Sequence, residues 1–147
     1  MRGLLFGLKV PFLTSFSKTL SKANQSHFSI RLDLQQKGSS KPWDEAIREL
    51  QQLRFLICPR DLLDCVFRVA KSIFRTANKV DTIGGDDFMD ILCFCVFKSR
   101  VKTINSIVNY LETFLGDDID PEKMYYLTCV QLALSFIRDL DWNKVWL

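Results

Sequence analysis

From Pro42 onward, apolar residues recur every three or four positions, stripe after stripe, and this spacing limits the fold more than any other feature. Trp43, Ala46, Ile47, Leu50 and Leu53, with Ile57 as a further member, mark a first helix over 42 to about 56. Leu62, Leu63, Val66, Phe67, Ala70, Ile73 and Phe74 mark a second, ending near Asn78. A third runs from Asp86-Asp87 to about Ser99, and a fourth uses Ile104, Ile107, Val108, Leu111 and Leu115. The last carries Met124, Leu127, Val130, Leu134 and Ile137. No stretch keeps the strict alternation of a half-buried strand. The fold class read from this pattern is all-α, a layered helical bundle of five to six helices. Ile91 to Phe97 is apolar at seven successive positions, so the helix near 87–98 belongs at the centre of the bundle. That run is far short of the ~18–20 apolar residues of a membrane-spanning helix.

The punctuation agrees with this reading. Pro42 and Pro59 each suit the first turn of a helix, where the missing N–H costs nothing. Thr82-Ile83-Gly84-Gly85 is a turn, and Gly116-Asp117-Asp118 closes the fourth helix. Asp120 caps the last helix, followed by Pro121 and Glu122. One of Asp86 and Asp87 is expected to cap the third helix, leaving the other pointing outward. Gln35 to Lys41 is a polar Gly/Ser linker. The chain therefore divides into a basic, Ser-rich arm and linker over 1–41, partly disordered, and a helical domain over 42–147.

The 147 residues carry 20 basic and 17 acidic side chains, a net of +3. Residues 1–32 hold five of the basic ones and no acid, so the remainder is net −2. A nucleic-acid-binding domain needs a clustered basic face, and an acidic body disfavours it. The arm is basic and Ser-rich like a mitochondrial presequence, a minority reading. The five cysteines, Cys58, Cys65, Cys93, Cys95 and Cys129, are odd in number and irregular in spacing. They read as reduced, buried, small hydrophobes, which implies a reducing compartment. Cys93 and Cys95 point to different faces of a helix, and the single His27 lies far from every cysteine in sequence. No metal site and no cofactor site is expected.

Signs of covalent chemistry are poor. Gly84-Gly85 lacks the Lys-Ser/Thr of a phosphate loop, and no Ser or Cys nucleophile has a positioned histidine. Adjacent acids such as Asp86-Asp87 and Asp117-Asp118 diverge and do not form an acid/base dyad by spacing alone. Tyr125, Thr128 and Leu132 share one helical face, about a hundred degrees from the core stripe of the last helix. By pattern alone that face is either a contact patch or a core edge, with the core edge favoured for Tyr125.

The combination Gly85-Asp86-Asp87-Phe88-Met89-Asp90-Ile91-Leu92, then Tyr125-Tyr126-Leu127-Thr128, then Ser135-Phe136-Ile137, resembles the vacuolar protein sorting 9 domain. Trp43-Asp44-Glu45-Ala46 and Cys58-Pro59 resemble that family's preceding core helices, so the likeness covers about residues 42 to 141. The family is the exchange module for endosomal Rab GTPases. The resemblance implies that Asp86 is an acidic finger that enters the nucleotide site and competes with phosphate for the P-loop lysine. It implies that Tyr125 contacts the switch regions, with Asp87, Asp90 and Thr128 beside them on the GTPase. Asp86 and Tyr125 are thus the catalytic pair, in an exchange reaction with no covalent step and no cofactor. The implied partner is an endosomal Rab 5-type GTPase, and the implied location is cytoplasmic and early-endosomal, reaching membranes only through partners.

Two departures stand out. The family has Pro where this chain has Asp90, which adds a third acid on the face of Asp86 and removes a preset kink. Family members also place further helices before the Trp43 region, so the expectation is a truncated or divergent copy. Both departures favour an alternative, a non-catalytic GTPase-binding or scaffold module with the same fold. An unrelated mitochondrial helical protein ranks third, and a helical DNA-binding domain last.

Overall fold

In the computed structural model, residues 25–35 and 42–139 are described. The presequence-like start, most of the Gly/Ser linker and the last eight residues lie outside them, as does the side chain of His27. Five α-helices form the described body: α1, Asp44–Gln52; α2, Pro59–Ala77; α3, Gly85–Ser99; α4, Ile104–Phe114; and α5, Pro121–Asp139. Short 3₁₀ turns cover Gln25–Phe28, Leu32–Leu34 and Leu53–Phe55. Among the described residues there is no strand, as the spacing of the apolar stripes requires.

Each stripe turns inward. α1 buries Ala46, Ile47 and Leu50, with Trp43 fully buried at its cap. α2 buries Leu62, Leu63, Val66, Val69, Ala70 and Ile73. α3 is the hub. It packs against α1, α2, α5 and the turn Gln25–Phe28, and every residue from Ile91 to Phe97 is buried. A helix enclosed along its middle gains little from a broad polar face, and this one confines its charges to Asp86, Asp87 and Asp90 near its start and Lys98 near its end. α4 lies against α2 and the flank of α5, burying Ile104, Val108 and Leu111.

The ends differ in part from expectation. Pro59 does open α2, with Cys58 extended before it (φ −68°, ψ 130°) as a residue preceding proline must be. Asp120 Oδ1 accepts the Glu122 N–H at 2.9 Å and caps α5. Pro42, however, falls outside α1, whose cap is Trp43; burying that indole sets where the helix starts. Neither Asp86 nor Asp87 caps α3: the cap is Gly84, in extended conformation with no side-chain bond. Both acids sit inside the first turn, where they complement the positive end of the helix dipole. Ile57 is 85 % exposed rather than part of a stripe, because α1 has already given way to the 3₁₀ turn Leu53–Phe55 and an extended Leu56. Cys58 is exposed, against the expectation that all five thiols are buried; the other four are. α3 ends on Arg100 in the left-handed region (φ 54°), a conformation that costs a non-glycine residue roughly 1 kcal/mol.

Residues 25–35 are part of the core. Phe28 is fully buried, its ring 5.7 Å from that of Phe94 and 5.2 Å from that of Phe97. Ile30 and Leu34 are buried as well, and Trp43 Nε1 donates to the buried Gln25 Oε1 at 3.0 Å. Burying a phenylalanine contributes about 1.5–3 kcal/mol, which together with the buried Ile30 and Leu34 helps offset the cost of ordering the segment. Among the described residues no helix is long and apolar enough to cross a membrane.

Candidate functional site

The two motifs meet at the N-terminal ends of α3 and α5. Phe88, fully buried, stacks flat on Phe74 of α2, with centroids 4.7 Å apart and planes at 4°. Tyr126 meets the edge of Phe88 at 5.7 Å and also lies 6.0 Å from Phe67. This four-ring cluster joins α2, α3 and α5 beneath the site, and offset or edge contacts of this kind add about 0.5–1.5 kcal/mol each beyond burial. Two cations reinforce the start of α5. Lys123 Nζ bonds Asp64 Oδ1 at 2.6 Å and lies 5.7 Å over the Phe67 ring, while Lys71 lies 4.9 Å from the same ring and 3.5 Å from Glu122 Oε1.

On this base stand the site residues. Asp86 is exposed in the first turn of α3, two residues before Phe88. Tyr125 is 57 % exposed on α5, next to Tyr126, their rings 5.3 Å apart. It is therefore not a core-edge aromatic; Tyr126 takes that place and Tyr125 is turned to solvent. The Cys129 thiol one turn on pushes the Tyr125 phenol above the usual range. Thr128 is exposed, and its hydroxyl donates to the Met124 carbonyl at 3.0 Å, leaving the oxygen outward as an acceptor. Leu132, 56 % exposed, continues the same face, and Phe136 extends it at 45 %.

The other two acids have different surroundings. Asp87 is half-buried and is not free: Arg31 Nη1 reaches its Oδ2 at 3.3 Å. Asp90 is half-buried one turn further along, and its carboxyl is pushed up to about 6 by burial, then by the charges of Asp87 and Asp86. α3 runs unbroken through Asp90. Among the described residues no three His, Cys, Asp or Glu side chains converge as metal ligands.

The structure thus brings Asp86 and Tyr125, far apart in sequence, to neighbouring helix ends, with Asp87, Asp90 and Thr128 on the same two helices. Arg31 and the ring cluster are absent from the sequence-based reading. Arg31 pairs locally with Asp33, but its link to α3 left no signal in the sequence, because Asp81 and Asp87 are 50 and 56 residues away.

The match to known proteins agrees with this arrangement. The model of the Vacuolar sorting protein 9 (VPS9) domain matches residues 43–142, and the chain belongs to that family. Similar proteins include vps901, a vacuolar protein sorting-associated protein of Schizosaccharomyces pombe, 35 % identical over 112 residues. That alignment covers 75 % of this chain and 20 % of the relative. The human GTPase-activating protein and VPS9 domain-containing protein 1 is 28 % identical over 106 residues, or 70 % of this chain and 7 % of the relative. The Receptor-mediated endocytosis protein 6 of Caenorhabditis elegans is 29 % identical over 103 residues, or 67 % and 9 %. The chain spans a fifth or less of the length of these relatives.

Proposed function

We propose that the chain is an exchange module that promotes GDP release from an endosomal Rab 5-type small GTPase. The observation that carries this reading is the pairing of an exposed carboxylate, Asp86, with an exposed tyrosine, Tyr125, on two helix ends joined by the Phe88–Tyr126 contact. A GTPase holds its nucleotide largely through Mg²⁺ and the P-loop lysine. Asp86 enters that region, competes with phosphate for the lysine and disfavours the metal ion. Tyr125 anchors the switch regions as an aromatic hot spot, with Leu132 extending its apolar contact. Asp87, Asp90 and Thr128 line the contact. The module stabilises the nucleotide-free GTPase and so weakens nucleotide by linkage, with no bond made or broken. Its place of action is the cytoplasmic face of the early endosome, reached through partners.

The second reading, a GTPase-binding scaffold without exchange activity, draws on Asp90. A half-buried acid stands where the family has proline, and α3 continues through it unkinked. Release of a fluorescent GDP analogue, measured across a panel of Rab GTPases with and without the chain, separates the two. Acceleration of a Rab 5-type member supports exchange. Binding to nucleotide-free GTPase without acceleration supports the scaffold, and absence of both overturns the two readings together.

A further inference from the structure

Asp86 and Asp87 are chemically identical neighbours in the first turn of α3, and both enjoy the positive end of the helix dipole. What separates them is Arg31. Its Nη2 bonds Asp33 at 2.6 Å and Asp81 at 3.0 Å, its Nη1 reaches Asp87 at 3.3 Å, and its Nε returns to Asp33 at 3.2 Å. One guanidinium therefore ties together the N-terminal segment, the loop before α3 and the first turn of α3. The segment is fixed independently, by Phe28 in the core and by Gln25 on Trp43, so the guanidinium is presented to Asp87 by packing and not by its ion pairs alone. Among the described residues no ion pair reaches the Asp86 carboxylate.

We propose that Arg31 is a positioning residue that occupies Asp87 and thereby makes Asp86 the carboxylate offered to the GTPase. The inference rests on the exchange reading given above. The planar fork of arginine reaches several carboxylates at once, which the point charge of lysine does not. With Arg31 in place, Asp87 is turned to the segment and Asp81, and a single unneutralised acid leads the helix. Without it, two like charges compete at the same edge and the first turn loses its tie to the loop. The maximal rate of nucleotide release should then suffer more than affinity, because what is lost is the placement of one group within the complex.

The test is the release assay with Arg31→Gln, Arg31→Lys, Asp87→Ala and the double variant Arg31→Gln/Asp87→Ala, each also followed by thermal melting. Arg75→Gln, which breaks the exposed ion pair between Arg75 and Glu45, serves as the control. The expected result is a maximal release rate about tenfold lower for Arg31→Gln, a half-saturating concentration within about twofold of the original, and partial recovery with Arg31→Lys. The double variant should be no worse than Arg31→Gln, and Arg75→Gln should match the unaltered chain. An Arg31→Gln chain that melts normally and exchanges at full rate overturns the proposal. So does a double variant that is clearly slower than Arg31→Gln alone, since Arg31 and Asp87 would then act independently of one another. If Arg31→Gln does not fold, Arg31→Lys decides: a folded Lys variant at full maximal rate counts against the fork. An unaltered chain that accelerates nothing removes the exchange reading itself, and the proposal with it.

Discussion

Phe88 and Tyr126 meet edge to face with ring centroids 5.7 Å apart, and this one contact couples the helix that carries Asp86 to the helix that carries Tyr125. Neither ring needs to touch a partner. Their task is to hold the two exposed groups at a fixed spacing, and Phe74 and Phe67 brace them from α2.

The first prediction concerns the exposed pair. Asp86→Ala and Tyr125→Ala should each lower nucleotide release on the order of thirtyfold or more, the scale of an interface hot spot. Stability should stay within about 0.5 kcal/mol of the original, because both side chains face solvent. Urea unfolding in parallel with the release assay checks both halves, and a variant that loses exchange only by unfolding contradicts the assignment.

Phe88→Ala should do the reverse. Removing a fully buried ring leaves a cavity against Phe74 and costs about 3–5 kcal/mol. Tyr126→Phe keeps the ring contacts and should melt close to the unaltered chain. Equal melting of all three proteins would show that the cluster contributes little.

Much of this was legible in the sequence, and the reasons are physical. The helices followed from stripes of period 3.6, and the central place of α3 followed from seven apolar residues in a row. The two site motifs were visible because their residues are local. What stayed hidden depends on contacts distant in the chain. Tyr125 and Tyr126 are adjacent, and only the packing of Phe67, Phe74 and Phe88 decides which of them faces inward. Arg31 reads as one more charge of a basic arm until Phe28 is seen in the core. The cap of α3 was missed because two acids beside a glycine pair suggest an Asp cap, whereas the helix begins one residue earlier, on Gly85.

Asp90 gives a pH prediction with a definite sign. Its carboxyl rises from 3.8 to about 6 in the folded chain, so between those values the native state keeps a proton that the unfolded state has released. Stability should therefore fall as pH rises from about 4 to about 6 and then level off. Asp81 acts in the other direction, since its bond to Arg31 lowers it from 3.8, and its contribution is lost only in more acid solution. Asp90→Asn should flatten the slope between pH 4 and 6, read from urea midpoints across that range; an unchanged slope would refute the assignment.

Asp90→Pro tests the departure from the family pattern. In a regular helix the Asp90 N–H bonds the Asp86 carbonyl, so proline removes that bond and costs about 3 kcal/mol. The same change frees the backbone of Asp86 and takes away a neighbouring acid. The expected outcome is a less stable chain with faster release per folded molecule. Slower release would mean that Asp90 itself contributes to the contact.

The thiols provide a check on the fold that needs no partner. Cys58 is exposed, whereas burial pushes Cys65 up to about 11 and Cys93 up to about 12, with Cys95 and Cys129 shifted the same way. A chromogenic disulfide reagent at mildly alkaline pH should titrate one thiol quickly in the native chain and all five after denaturation. Two or more fast thiols would mean that the core is open.

The enclosure of α3 has a mechanical consequence. Seven successive buried residues, gripped from four directions, leave this helix no cheap way to slide along its axis or turn about it. Even in its first turn Phe88 is buried and Asp87 is tied to Arg31, so a body pressing on the exposed Asp86 meets a stiff, firmly seated post. The post does not recoil. A partner that docks on this end of the bundle is therefore expected to adjust its own shape around Asp86.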